Sequence, residues 1–171
     1  ALEWARLALP RIEKALTLWP DDVPTLEAKA YALAMLDRRG EQLELCERIL
    51  REAPRREQTL VAAATSARRL GKQQAAVEYW RRAIAVNPGS IEYHAQLANV
   101  YADLKEWSKA LAECRMVLRR YPGNIEARIV MVRRHLENGD AAAARSEFEQ
   151  VLALKPPNED LLRRWFQKMN R

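Results

Sequence analysis

Two cysteines and two histidines are the side chains of this 171-residue sequence that most readily serve as nucleophiles, bases or metal ligands. Cys46 and Cys114 lie two periods apart in one apolar column of a sequence repeat. At about 8 to 10 Å for each step between packed helices, two repeats separate them by about 16 to 20 Å, whereas a disulfide needs Cα atoms within about 7 Å. We therefore predict that both cysteines are small core residues.

The two histidines, His94 and His135, fall on two different predicted helices, and neither has a second His or Cys at helical spacing. We expect each to lie in the core or at the edge of a groove. The sequence has no glycine-rich phosphate loop, nucleophile elbow or paired His-Glu zinc motif. It therefore predicts a protein that is not an enzyme and that needs neither a metal nor a cofactor.

The composition favours helices, because 49% of the residues are hydrophobic while only 7% are aromatic and glycine is rare. No apolar run approaches the roughly 18 to 20 residues that span a bilayer, so we expect no membrane insertion. The charge balance is 29 − 23 = +6. Seven Arg-Arg pairs, which we interpret as solvated helix faces, begin at Arg38, Arg55, Arg68, Arg81, Arg119, Arg133 and Arg163.

A 34-residue period organises the chain. Five of the eight prolines follow it, at Pro20, Pro54, Pro88, Pro122 and Pro156. Small residues keep the same register twelve positions earlier, at Ala8, Ala76, Ala110 and Ala144. Large apolar residues recur four positions before each proline, at Leu16, Leu50, Ile84, Leu118 and Leu152. A period that preserves side-chain size as well as type is typical of a repeat architecture.

Each period divides into two helices joined by a turn. Gly71 and Gly139 each lie half a period before a proline, and each supplies the left-handed conformation that ends a first helix. In the second repeat Gly40 lies closer than this to its proline, Pro54, and Gln42 replaces the small alanine. We therefore expect a first helix about one turn longer there, and a shorter second helix.

The segment Ile91 to Pro122 carries the clearest motif, in which the columns are filled by Leu97, Ala98, Asn99, Tyr101, Trp107, Ala110 and Pro122. These residues resemble the tetratricopeptide repeat, and the resemblance covers nearly the whole chain. It implies an all-α fold, a right-handed α-solenoid of antiparallel helix pairs. The predicted array consists of a partial repeat (1–22), four repeats (23–56, 57–90, 91–124 and 125–158) and a C-terminal capping helix (159–171).

The two ends of the array differ in their predicted surfaces. Residues 1 to 19 hold only the second helix of a repeat, with Pro10 near its first turn, as if cut from a longer protein. Its apolar face would then lack a neighbour and provide a homodimer contact, through Leu2, Leu9, Ile12 and Leu16. At the other end, Trp165 and Phe166 occupy the columns of Leu97 and Ala98. Such bulk is suited to a terminal cap, with truncation at Arg171 as the alternative.

The resemblance places the first helix of every repeat along a concave groove. The residues that it assigns there are Glu27, Tyr31 and Met35, Val61, Thr65, Arg68 and Arg69, Glu92, Ala95, Asn99 and Asp103, and Glu126, Ile129, Arg133 and Glu137. From these we predict a peptide-binding set of Tyr31, Val61, Thr65, Arg68, Arg69, Asn99, Asp103, Ile129 and Arg133. Arg69 and Arg133 are the predicted charged anchors, and Tyr31, Val61 and Ile129 the apolar ones.

This mixed groove predicts a protein or peptide partner and no nucleic acid, which would need a continuous basic track with stacking aromatics. It also departs from the carboxylate-clamp subfamily that binds chaperone tails, because Ala95 replaces a lysine one turn before Asn99. We predict a non-catalytic interaction module. The alternatives are a regulatory or scaffolding appendage of a larger bacterial enzyme or envelope secretion protein, and a self-association module. Cytoplasmic and periplasmic locations both remain open.

Overall fold

The computed structural model describes residues 2–170, which form ten α-helices and no β-strand. They divide into two compact units, the first ending at Gly89 and the second beginning at Ser90. Unit 1 contains α1 (Leu2–Leu18), α2 (Val23–Met35), α3 (Arg39–Glu52), α4 (Glu57–Arg69) and α5 (Gln73–Val86). Unit 2 contains α6 (Ile91–Asp103), α7 (Trp107–Arg120), α8 (Ile125–Glu137), α9 (Ala141–Ala153) and α10 (Glu159–Met169). The all-α fold class predicted from the sequence is confirmed.

The helix boundaries repeat with the period of the sequence. Helices α2 and α4 are offset by one full period at both ends, as are α3 and α5 in the same unit. In unit 2 the same offset relates α6 and α8. Since the consecutive helices of each pair pack on one another, each unit is a stack of helical hairpins.

One residue with positive φ closes the turn between the first and second helix of each hairpin. The four residues are Asp37 (φ 57°), Gly71 (φ 74°), Lys105 (φ 59°) and Gly139 (φ 73°), again one period apart. Two are glycines, which adopt this conformation without a steric penalty. The other two carry a side chain, so the glycine pattern in the sequence marks only half of these turns.

The prediction of an altered second repeat is wrong. Helices α2 and α3 have 13 and 14 residues, the same lengths as α4 and α5. The turn is made at Asp37, whose short polar side chain tolerates the left-handed region, and Gly40 lies inside α3. Gln42, in the alanine column, is buried because its Oε1 accepts a hydrogen bond of 2.7 Å from the buried Ser66 hydroxyl.

Side-chain caps start three of the four first helices. Asp22, Ser90 and Asn124 each accept a hydrogen bond from the backbone N–H three residues later. Such caps stabilise a helix start by about 1 kcal/mol. The equivalent residue in the remaining repeat is Arg56, which makes no side-chain cap and instead reaches back to Glu27 on α2.

Small and large residues interlock in the core of each unit, as the sequence columns predict. Ala76 and Trp80 are buried in unit 1, and Ala144 and Phe148 are buried in unit 2. The small side chains allow neighbouring helices to approach closely, and the aromatic rings fill the space beside them. Among residues 2–170, no helix combines the length and apolar character needed to cross a membrane.

The apolar face of α1 differs from the predicted one. Leu9 is buried and Ile12 partly buried, because both pack in a core cluster with Leu33 of α2. Leu2 is exposed as predicted, and the other exposed apolar side chains of this region are Trp4, Leu7, Leu18 and Trp19. Pro10 is the ninth residue of the helix and not in its first turn, because α1 starts at Leu2.

The last helix packs inward through aromatic rings. Phe166 of α10 stacks on Phe148 of α9 with 4.3 Å between ring centroids, and Trp165 lies 6.4 Å from the same ring. The cluster also contains Val132 and Val151. Bulky residues in these columns therefore anchor α10 to unit 2, while its assignment as a terminal cap stays a prediction.

Candidate peptide-binding surfaces

A cleft of about 120 Å³ opens in unit 1 where α2, α3 and α4 meet. We call it the α2–α4 cleft, and it is lined by Glu27, Ala30, Tyr31, Gln42, Cys46, Gln58, Thr59 and Ala62. The small side chains Ala30 and Ala62 leave the space between the helices. Tyr31 is 56% exposed at this cleft. Its ring packs edge-on against Trp4, with 5.8 Å between the ring centroids. An exposed aromatic beside an unfilled cleft is a suitable contact for an apolar side chain of a partner.

Glu27 lines the same cleft, but its carboxylate is already occupied. Oε1 accepts hydrogen bonds from Arg56 Nε at 3.1 Å and from the Thr59 hydroxyl at 2.7 Å. The second oxygen, Oε2, accepts from Arg56 Nη2. These Arg56 hydrogen bonds are the main cause that holds the pKa of Glu27 below its ordinary value, against the raising effect of partial burial. Glu27 therefore ties two neighbouring first helices together and is not a free acceptor for a ligand cation.

Helix α4 carries four of the predicted site residues, in different environments. Val61 and Thr65 are half-buried, and the Thr65 hydroxyl donates to the Val61 carbonyl at 2.8 Å. Arg68 is also half-buried. Arg69 is exposed, and its guanidinium has no ion-pair or hydrogen-bond partner among residues 2–170. Of the predicted anchors in unit 1, Arg69 is the charged group that is available to a ligand.

Arg69 also lines a wider, open cavity of about 680 Å³ beside the α2–α3 turn. We call it the turn cavity, and it is formed with Asp37, Arg38, Arg39, Gly40, Glu41 and Leu70. Two ion pairs form between residues that line it. Arg38 Nε donates to Glu41 Oε1 at 2.6 Å, and Arg39 Nε donates to Asp37 at 2.9 Å. These four charges neutralise one another, so the positive charge of Arg69 is left uncompensated by the other residues of the cavity.

In unit 2 the predicted charged anchor, Arg133, is already paired. Arg133 Nη2 of α8 donates to Asp103 Oδ1 of α6 at 2.8 Å, and both side chains are about a quarter exposed. Lys105 Nζ likewise contacts Glu137 at 2.8 Å, which is the main cause lowering the pKa of that carboxyl. A ligand charge at Arg133 would have to compete with Asp103. The two predicted charged anchors are thus not equivalent.

Two further predicted residues of unit 2 face inward more than expected. Ala95 is fully buried and belongs to the core, so its assignment to the groove surface is wrong. Its backbone carbonyl accepts a 3.2 Å hydrogen bond from the Asn99 side chain. Ile129 packs against the core cluster around Phe148. Ala95 and Ile129 are therefore less accessible to a ligand than Tyr31 and Arg69 of unit 1.

The two cysteines and His94 occupy structural positions. Cys46 and Cys114 are both fully buried free thiols, as the sequence predicts, and burial raises the pKa of each to about 12. A thiol with such a pKa is not a nucleophile at neutral pH. His94 shares a 2.7 Å hydrogen bond with Glu113 between α6 and α7. Residues 2–170 contain no group of three or more His, Cys, Asp or Glu that could hold a metal ion.

Sequence reasoning named Tyr31 and Arg69 but missed the floor of the α2–α4 cleft. Ala30, Gln58 and Ala62 lie outside the predicted set, although they line the cleft. The signal that could have found them is the pair of small residues, Ala30 and Ala62, on successive first helices. A small residue on each of two neighbouring helices leaves a gap wherever no larger side chain fills it.

The family model for the N-terminal TPR-repeats region of Psidin matches residues 4–124. The chain belongs to the tetratricopeptide-repeat family. Its hairpins are therefore tetratricopeptide repeats, and the chain is of the class of protein–protein interaction modules that this family forms.

Individual relatives agree with that assignment. The BBSome complex member BBS4 of Xenopus tropicalis is 31% identical over 134 residues, which are 78% of this chain and 26% of BBS4. This tetratricopeptide-repeat chain thus spans about a quarter of that curated relative. The crystal structure of YrrB, described as a TPR protein with an unusual peptide-binding site, has a TM-score of 0.81 and 18% identity, covering 97% of this chain and 84% of YrrB. A tetratricopeptide repeat protein of Parabacteroides merdae gives a TM-score of 0.85 and 15% identity, covering 96% and 65%.

Proposed function

We propose that the chain is a non-catalytic module that binds a peptide segment of a partner protein on the first helices of unit 1. The single observation that carries the proposal is the unfilled α2–α4 cleft, with the exposed Tyr31 beside it and the exposed Arg69 on the same helix as Ala62. The cleft offers an apolar side chain a site to be buried. The predicted residues Val61, Thr65 and Arg68 extend the same helix surface.

The apolar side chain that the cleft buries determines how much the cleft contributes to the free energy of binding. Burying one Val or Leu side chain contributes about 1.5 to 3 kcal/mol. Because about 1.4 kcal/mol corresponds to a tenfold change in affinity, filling the cleft with protein atoms should weaken a peptide about 10- to 100-fold. A rigid helical surface adds to affinity because little of the receptor has to be ordered on binding.

The test is a display selection of random peptides on the wild-type chain, followed by fluorescence anisotropy with the enriched peptides. The Ala62→Leu variant fills the cleft and should raise the Kd at least tenfold. The matched control is Ala85→Leu, on the exposed face of α5, which should leave the Kd within about twofold. Failure to enrich any peptide, or equal binding by both variants, would contradict the proposal.

A scaffolding role inside a larger protein or complex is the second proposal, and the similarity to a BBSome complex member supports it. Self-association is its variant, through the exposed apolar side chains of α1 and of Trp19 directly after it. Leu7 and Leu18 are 64% and 67% exposed, and Trp19 is 65% exposed. Light scattering over a concentration series should show a mass increase that Leu7→Glu removes, and a constant monomer mass would refute self-association.

A further inference from the structure

The two cavities of unit 1 lie along one stripe of α4. Gln58 and Ala62 line the α2–α4 cleft, whereas Arg69 lines the turn cavity. Ala62 and Arg69 are two helical turns apart, so their side chains project from the same face. At about 1.5 Å per residue the two positions are separated by about 10 Å along the helix. A single short segment can therefore reach both cavities.

The cleft selects the size of the apolar group. The cleft volume of about 120 Å³ is well below the roughly 300 to 1,000 Å³ of a pocket for a drug-sized ligand, so the cleft is suited to a small apolar group. The side chains of Val, Leu and Ile, with three or four carbons, are groups of this kind. Tyr31 adds an apolar edge to one side of the bound group.

The turn cavity selects the charge of the second group. Of the charged residues that line it, Arg38 pairs with Glu41 and Arg39 pairs with Asp37. The guanidinium of Arg69 has no such partner among residues 2–170. A carboxylate matches this planar fork of donors, because arginine binds both carboxylate oxygens through parallel N–H groups.

From this arrangement, and resting on the proposed function, we infer that unit 1 recognises an extended segment with an aliphatic residue in the α2–α4 cleft and a carboxylate three positions away, bound by Arg69. The polyproline II conformation repeats every three residues and rises about 3.1 Å per residue. Residues i and i+3 of such a segment then project to the same side, about 9 Å apart. That separation is close to the rise of about 10 Å along α4 between Ala62 and Arg69.

The experiment compares the peptide libraries enriched by two versions of the full chain, wild type and Arg69→Glu, at low salt. With wild type we expect Asp or Glu three positions from Val, Leu or Ile. With Arg69→Glu we expect Lys or Arg at that same position. Arg51→Glu on the exposed part of α3 is the matched control, since Arg51 also lacks an ion-pair partner among residues 2–170, and it should leave the preference unchanged.

Synthetic peptides then measure the effect and identify the source of the carboxylate. Arg69→Glu should weaken a wild-type-selected acidic peptide about tenfold, through a lost ion pair and a new repulsion. The selected acidic peptide is compared with a shortened peptide that ends at the acidic position. The shortened peptide is made once with a free C-terminus and once with an amidated C-terminus. Tighter binding of the free acid than of the amide would identify a chain-terminal carboxylate, and equal binding a side-chain carboxylate.

Three results would overturn the inference while leaving the proposed function intact. They are enriched peptides without a fixed acidic position, an acidic position that Arg69→Glu does not change, and a spacing of two helical turns between the selected positions, which would indicate a helical partner. If neither library enriches any peptide, the proposed function fails, and the inference fails with it.

Discussion

Alanine at Gly71 and at Gly40 tests the position of the interhelical turns. Both glycines are exposed, and a Cβ built on either would meet no atom within 4 Å, so neither substitution causes a clash. Their backbones differ, since Gly71 has φ 74° whereas Gly40 lies inside α3. The left-handed conformation costs an L-residue about 1 to 2 kcal/mol, and alanine recovers about 0.4 to 1 kcal/mol by restricting the unfolded chain. We expect Gly71→Ala to destabilise the protein by about 1 kcal/mol.

The same substitution at Gly40 should act in the opposite direction. Without strain in the folded state, replacing a helical glycine by alanine stabilises by about 0.5 to 1 kcal/mol. Urea unfolding followed by far-ultraviolet circular dichroism measures both variants against wild type, at constant m. If Gly71→Ala stabilised the protein, or if Gly40→Ala lowered stability, the assignment of the turn to Asp37 and Gly71 would be refuted.

Two further predictions concern polar contacts between the helices of unit 1. Ser66→Ala removes the buried hydrogen bond to Gln42 and should lower the free energy of unfolding by about 1 kcal/mol; an unchanged urea midpoint would show that the bond contributes no net stability. Glu27 has a lowered pKa, so the stability from its bond to Arg56 is fully present above the ordinary glutamate value of 4.5 and is lost as the pH falls through the folded-state pKa. The difference in urea midpoint between wild type and Glu27→Gln should therefore shrink between pH 7 and pH 3; a constant difference would contradict this linkage.

The helix boundaries follow the repeat period because many apolar columns specify the same helix lengths. The same helical hairpin is specified by several apolar columns, so one residue that departs from its column changes the helix boundaries little. The turn is different, since a single residue with positive φ makes it. Asp37 and Lys105 take that position without the glycine signal, and Gly40 carries the signal without the role. Placing the turn at a glycine was therefore wrong in one repeat, although the repeat period was identified correctly.

The candidate surface was only partly predictable for a related reason. A column of the repeat assigns a residue to a helix face, but it does not determine how deeply the side chain is buried. Ala95 and Val61 occupy the same column one period apart, yet Ala95 is fully buried and Val61 is half-buried. Burial depends on the size of side chains on adjacent helices, and that information is distributed over residues far apart in sequence.

The contrast between Arg69 and Arg133 shows how neighbours determine binding capacity, since both were predicted as charged anchors. Arg133 pairs with Asp103 on the preceding first helix, whereas Asp37, the aspartate that shares the turn cavity with Arg69, pairs with Arg39 instead. Asp103 thus compensates the charge of Arg133, whereas no carboxylate among residues 2–170 compensates that of Arg69. If this reasoning holds, Asp103→Asn should give unit 2 an affinity for acidic peptides that the wild-type unit lacks, because Arg133 would then lose its carboxylate partner and resemble Arg69, which has none among residues 2–170. Fluorescence anisotropy of an acidic peptide on the Arg69→Glu background measures this gain, and an unchanged Kd would show that pairing alone does not decide which arginine can bind.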